Sequence, residues 1–316
     1  MTGALASGVR AAEPRAVARA LTVVENDPAA ALALLASLSD VVGRAHRVGV
    51  TGPPGAGKST LIAGLCVAWR KEGRRVGVVA VDPTSPFTGG ALLGDRIRMT
   101  GLSGDPGVFI RSLATRGESG GLARAAQDAA DVLDGAGFDP VVLETVGVGQ
   151  SEVAIAGAAD TVVVVVAPGS GDAVQAMKGG LVEAADLLVV NQADREGAPA
   201  LVADLEAAIE LRQSGRHPRV LRTVARTGEG VDVLHAAIDE HRRTLAAGDG
   251  LGERRRARAA LRVREEVDRR RREAWWTAHG AHLERLASEV AAARMTVAEA
   301  AGRLLSEERP PGEPAA

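Results

Sequence analysis

The chain has 316 residues, 46% hydrophobic and 25% charged, with a formal net charge of −2; it is long enough for a large α/β domain with extensions and has no global pull towards DNA or anionic membrane. Aromatic residues make up 2% and Tyr is absent, which argues against base-stacking nucleic-acid platforms. The single cysteine, Cys66, excludes a disulfide framework or a cysteine metal cage within one chain, and the six His residues show no ligand spacing near acidic clusters.

Residues 1–45 are expected to form a helical N-terminal extension: 11–38 is Ala/Leu-rich, has helical spacing and shows no strand signal. The start lacks the basic and apolar regions of a signal peptide. From 46 to 245, apolar runs at 47–50, 75–81, 108–110, 141–143, 161–166, 187–190 and 219–221 read as strands without strict two-residue alternation, as expected of strands buried on both faces. The β-branched run at 162–166 is too short to span a bilayer, so a cytoplasmic protein without a membrane partner is expected. Helical stretches such as 59–71, with Gly73 as a stop signal, separate the strands. The predicted class is therefore α/β, a mostly parallel sheet covered on both sides, with ligands beyond the carboxyl ends of the strands. Residues 246–316 read as a helical C-terminal arm. Its segment 253–273 holds ten Arg and five acids. Thin apolar stripes run through Ala260, Val263, Val267 and Ala274, then Leu283, Leu286, Val290 and Ala293. Thr296-Val297-Ala298-Glu299 is a capping-box signature for a last short helix, and the tail from Arg309 is Pro-rich.

The chemistry-bearing motifs fall at strand ends. Gly52-Pro53-Pro54-Gly55-Ala56-Gly57-Lys58-Ser59 fits the P-loop pattern in full, with a strand before it and a helix after it. Its glycines let backbone N–H groups curl around phosphate oxygens, and the helix N-terminus adds partial positive charge. Lys58 supplies a full charge to the β- and γ-phosphates, Ser59 can ligate Mg²⁺, and Thr60 joins the nucleotide-binding set at the helix start. Ala56 stands where one dimerising subclass of ATPases has a second lysine. Asp82 and Glu144, each at the end of an apolar strand, are placed to hold Mg²⁺ directly or through water, though either could instead cap the segment after its strand. Gly147 can bring its backbone N–H to the γ-phosphate because no Cβ interferes.

Base choice is expected at Asn191-Gln192-Ala193-Asp194, which resembles the guanine-reading Asn-Lys-x-Asp element. The Asp194 carboxylate would accept from guanine N1–H and the 2-amino group, a donor pair that adenine lacks. Gln192 replaces the usual Lys, which predicts guanine preference with weaker affinity. Thr223-Val224-Ala225 could bring a backbone N–H to guanine O6. In Ras-like GTPases a Gln directly after the switch Gly positions the attacking water; here that place holds Val148, with Gln150 further on. Intrinsic GTP hydrolysis to GDP and phosphate is therefore expected to be slow and completed by a partner.

Several further strings carry a family resemblance: Val81-Asp82-Pro83-Thr84-Ser85-Pro86, the run 88–99 that includes Asp95, Glu144-Thr145-Val146-Gly147-Val148-Gly149-Gln150-Ser151-Glu152, and Pro168-Gly169-Ser170-Gly171-Asp172. With the P-loop they make residues 20–243 resemble the MeaB/ArgK-type GTPases, the group that includes the human methylmalonic aciduria type A protein. The resemblance implies a SIMIBI-class P-loop fold and a GTPase chaperone of an adenosylcobalamin-dependent acyl-CoA mutase, gating cofactor loading and protecting or reactivating the mutase. It implies a homodimer held partly by the C-terminal arm. It also assigns Ser59, Asp82, Asp95 and Glu144 to Mg²⁺ or the switch loops, and Lys178 to a switch that couples nucleotide state to the mutase. Read from spacing alone, Asp95 could be a surface ion-pair partner and Lys178 a solvated lysine. The alternatives are a metallochaperone GTPase, which would want a Cys/His cluster, and a P-loop kinase, which would usually want ATP. The Arg-rich arm reads as a solvated face or dimer contact, not a nucleic-acid surface.

Overall fold

The computed structural model describes residues 2–82, 100–102, 104–114, 124–145, 151–169, 181–211 and 217–306. It divides into two units, Met1–Arg255 and Arg256–Ala316.

The first unit is built on seven strands: β1 (Arg47–Thr51), β2 (Val76–Asp82), β3 (Val108–Ala114), β4 (Val141–Thr145), β5 (Thr161–Val166), β6 (Leu187–Asn191) and β7 (Arg219–Thr223). They form one sheet in the order β3-β2-β4-β1-β5-β6-β7, with every pairing parallel. In β5, Val162, Val164 and Val166 enter one buried cluster while Val163 and Val165 enter the other. Both faces are covered, so the sequence shows a continuous apolar run where a half-buried strand would alternate.

One face packs on α4 (Lys58–Lys71) and α9 (Val231–Ala247) through Leu61, Leu65, Trp69, Leu234 and Ile238. The other carries α5 (Arg124–Gly135), α6 (Ser151–Ala158), α7 (Leu181–Ala184) and α8 (Ala198–Glu210), together with three N-terminal helices. The N-terminal stretch, read as one Ala/Leu-rich run, is divided into α1 (Thr2–Arg10), α2 (Pro14–Asn26) and α3 (Pro28–Leu38). Each break falls at a proline, which has no N–H to continue a helix but is tolerated in a first turn. Asp27 caps α3 by accepting from the Ala30 N–H at 2.9 Å. β3 runs further than the apolar segment 108–110 because Arg111 is neutralised by Glu25 of α2.

The second unit contains most of α10 (Gly250–Ala291) and all of α11 (Val297–Ser306). Leu286 of the second apolar stripe is buried with Ala300 and Leu304, whereas Val263 and Val267 of the first are exposed. The predicted capping box forms: the Thr296 N–H donates to Glu299 Oε2 at 2.8 Å and the Glu299 N–H to Thr296 Oγ1 at 3.2 Å. No helix among the described residues is long and apolar enough to cross a membrane.

At the amino edge of the sheet, His46 is buried and shares the Thr161 hydroxyl with His241 at 2.8 Å on each side. Burial pushes the His46 imidazole down to about 4, against the opposing pull of Asp160 and Asp139 and helped by Arg242 and His241. The unfolded chain binds this proton nearer pH 6.5, so acidification favours the unfolded state across the window from about 6.5 to 4, by roughly 3 kcal/mol in all. Urea midpoints measured at pH 7.5 and pH 5 should fall with pH, and His46→Gln should flatten that fall. An equal fall in the variant would assign it to another group.

Candidate functional site

All seven strands point the same way, so the segments that follow β1, β2, β4, β6 and β7 leave from one edge of the sheet. The P-loop lies between β1 and α4. Gly52 has φ +135°, and a Cβ there would stand 1.9 Å from the Val165 carbonyl oxygen of β5. Gly57 has φ +88°, and a Cβ there would stand 2.4 Å from the Asn191 amide nitrogen. Only glycine fits either place, for conformation and for space. Lys58, the first residue of α4, is buried and donates through Nζ to the carbonyls of Gly52 at 2.9 Å and Pro53 at 3.1 Å. Its ammonium is thus held inside the curl of the loop, where the N-terminus of a 14-residue helix also opens. Thr60 is exposed beside it.

The next residue joins the loop to the middle of the sheet. Ser59 Oγ donates to Glu144 Oε1 at 2.8 Å, and both side chains are buried. A hydroxyl and a carboxylate are hard oxygen donors of the kind Mg²⁺ takes together with phosphate oxygens and water, so this pair fits that ion. Burial and the Glu144 charge push the nearby Cys66 thiol up to about 12, which leaves it an inert core residue. Asp82 ends β2, beside β4 in the sheet. Its side chain, and the whole of Asp95, Gly147, Val148, Gln150 and Lys178, lie outside the described residues.

The opposite flank of the P-loop is organised by Asn191. Its side chain is buried, donates to the Ala56 carbonyl at 2.7 Å, and accepts from Thr223 Oγ1 and the Ala225 N–H at 3.0 Å each. One amide therefore ties the P-loop, the end of β6 and the loop after β7 together. The Ala225 N–H, a candidate donor to guanine O6 in the sequence, is here spent on Asn191. Gln192 takes a left-handed φ of +57° and donates to the Gly55 carbonyl at 3.0 Å. Consecutive P-loop carbonyls are thus gripped by consecutive residues of the segment after β6. Asp194 is half exposed, with Arg226 3.7 Å away. Nothing in the spacing of the motif pointed to Arg226, although it directly follows Ala225.

Gln192→Lys keeps a donor for Gly55 and makes it a cation, and charge-assisted bonds are about twice as strong. GDP affinity, measured with a fluorescent analogue, should rise by about tenfold. An unchanged affinity would mean that the neutral amide already does the whole job.

Away from this edge, the structure corrects the reading that no His has ligand spacing near acids. His235 and Asp239 are one turn apart on α9, and Glu72 at the end of α4 joins them. The i, i+4 spacing was available in the sequence, but the third member lies on a distant helix.

The family model described as "Methylmalonyl Co-A mutase-associated GTPase MeaB" matches residues 17–279. A Pyrococcus horikoshii protein whose name carries the GTPase designation is 53% identical over 258 residues, covering 80% of each chain. The Escherichia coli GTPase ArgK is 35% identical over 274 residues, covering 82% of each. Among solved structures, one described as an LAO/AO transport system kinase superposes with a TM-score of 0.73 at 26% identity, covering 96% of each chain.

Proposed function

The chain belongs to the MeaB family of methylmalonyl-CoA mutase-associated GTPases, and on that footing we propose that it works as a nucleotide-driven chaperone of an adenosylcobalamin-dependent acyl-CoA mutase. In this reading it gates cofactor loading and protects or reactivates the mutase, as a homodimer held partly by its C-terminal arm. The mutase link rests on the family; the nucleotide-driven part is best supported by the Asn191 junction, because a single side chain links the phosphate loop to the two loops expected to read guanine.

In this reading the division of labour is supported by geometry for Lys58, Ser59, Glu144 and Asn191, and by the family resemblance for the remaining residues. Lys58 exchanges its two carbonyl partners for the β- and γ-phosphate oxygens and stabilises the charge that develops as the γ-phosphoryl leaves. Backbone N–H groups of the P-loop hold the phosphates in line, and Asp194 accepts from guanine. Ser59 and Glu144, with Asp82 and Asp95, would hold Mg²⁺, which would supply positive charge to offset that of the phosphates. In this reading Gly147 would offer its N–H to the γ-phosphate, and Val148 could not orient the attacking water as a Gln would. Turnover by the isolated chain is accordingly slow, and Gln150 and Lys178 lie on the segments through which the mutase senses and completes the site.

The test is GTP turnover with and without a purified acyl-CoA mutase, with ATP as the control nucleotide. Slow hydrolysis that rises on adding the mutase supports a partner-completed switch. Turnover that no mutase changes, with no complex on gel filtration, removes the chaperone reading and leaves the GTPase. A preference for ATP would overturn the role of Asp194 and favour a kinase.

A further inference from the structure

Glu72 closes α4, and His235 and Asp239 lie on α9. One ligand atom from each falls within 4.8 Å of the other two. His235 Nε2 stands 3.5 Å from Glu72 Oε1 and 3.7 Å from Asp239 Oδ2. In a tetrahedral ion site with bonds near 2.0–2.1 Å, neighbouring ligand atoms are about 3.3 Å apart. Two of the three separations are thus a few tenths of an ångström from that value. The third, between Glu72 and Asp239, lies within 4.8 Å, and the Glu72 side chain, 48% exposed, has room to turn.

The His235 Nε2 atom is buried and makes no hydrogen bond. A buried ring nitrogen without a partner is costly, and an ion is a partner that satisfies it. Trp69, fully buried, meets the imidazole edge-on at 5.8 Å and walls one side. Arg74 is already there. Its Nη1 donates to both oxygens of Asp239, at 2.9 and 3.1 Å, and lies 3.7 Å from Glu72 Oε2. One guanidinium against two carboxylates leaves one negative charge over, and it leaves the imidazole unserved.

We propose that Glu72, His235 and Asp239 form a site for a zinc-class divalent ion, with water as the fourth ligand and Asp239 shared with Arg74. One nitrogen and two carboxylate oxygens with an open position is a donor set zinc accepts. The site is distinct from the Mg²⁺ ligands, which sit at the other end of α4, about 20 Å away along the helix. Bound there, the ion pins the far end of the helix that carries Lys58 to the helix that follows the Ala225 loop.

The full-length chain, with GDP and millimolar Mg²⁺ present, is titrated with Co²⁺ and read by visible absorption, with Zn²⁺ as competitor. One Co²⁺ per chain is expected, with the intense bands of a four-coordinate site, displaced by Zn²⁺. His235→Ala and Asp239→Asn should each weaken binding by at least about a hundredfold, and Arg74→Gln should tighten it by removing the competing cation. No binding of Co²⁺ or Zn²⁺ at micromolar concentration by the unaltered chain overturns the proposal, as does binding that either ligand substitution leaves unchanged. Circular dichroism checks that the variants fold. If His235→Ala does not, Asp239→Asn decides alone.

Discussion

Lys58→Ala is expected to lower GTP turnover by about a thousandfold, the upper range for loss of one pre-placed charge donor at a reacting group. Lys58 is buried at the first position of α4 and already points into the P-loop through the Gly52 and Pro53 carbonyls. Its charge needs little reorganisation when the transition state forms, and water admitted in its place would be a poor substitute. The two carbonyls lose their donor but lie in a loop open at Pro54 and Gly55, so the fold should survive. Single-turnover hydrolysis with the nucleotide pre-bound isolates the chemical step. A loss confined to affinity, with the rate of the bound complex unchanged, would show that Lys58 only anchors the phosphates.

The second large effect concerns base identity. Asp194→Asn should weaken GDP binding by several hundredfold, roughly the worth of two hydrogen bonds to a charged acceptor. It should also raise affinity for xanthosine diphosphate. Xanthine carries an oxygen where guanine carries the 2-amino group, and the Asn amide can donate to that oxygen while its carbonyl accepts from N1–H. Arg226 does not blunt the effect, because at 3.7 Å and 83% exposed it forms a weak, screened pair with Asp194. Competition between the two diphosphates for the variant measures the exchange directly. A variant that loses GDP and gains nothing for xanthosine diphosphate would place Asp194 outside the base pocket.

The sheet was legible because each strand has a signal of its own. Seven apolar runs rich in Val and Leu, separated by helical periods, leave few alternatives to a doubly covered parallel sheet. The shortfalls occur where the deciding interaction is distant. Arg111 of β3 is met by Glu25 of α2, and nothing near residue 111 announces that. The phosphate loop was legible because its glycines answer local demands: positive φ at Gly52 and Gly57, and no room for a Cβ. The function of Gln192 was not. As a departure from Lys it suggested weaker affinity, and nothing in its spacing suggested the bond it makes to Gly55. In the same way, Ala225 read as a donor to the base before Asn191 was seen to take its N–H. The Glu72–His235–Asp239 cluster shows the same limit, since its helix spacing is local and its completion is not.

The paired grip of Asn191 and Gln192 on Ala56 and Gly55 bears on how spent nucleotide leaves. The segment after β6 reaches the phosphate loop across β5, so a displacement there loosens base and phosphates in one movement. On the proposed reading, the residence time of the diphosphate would then depend on two hydrogen bonds that touch neither the ion nor the γ-phosphate.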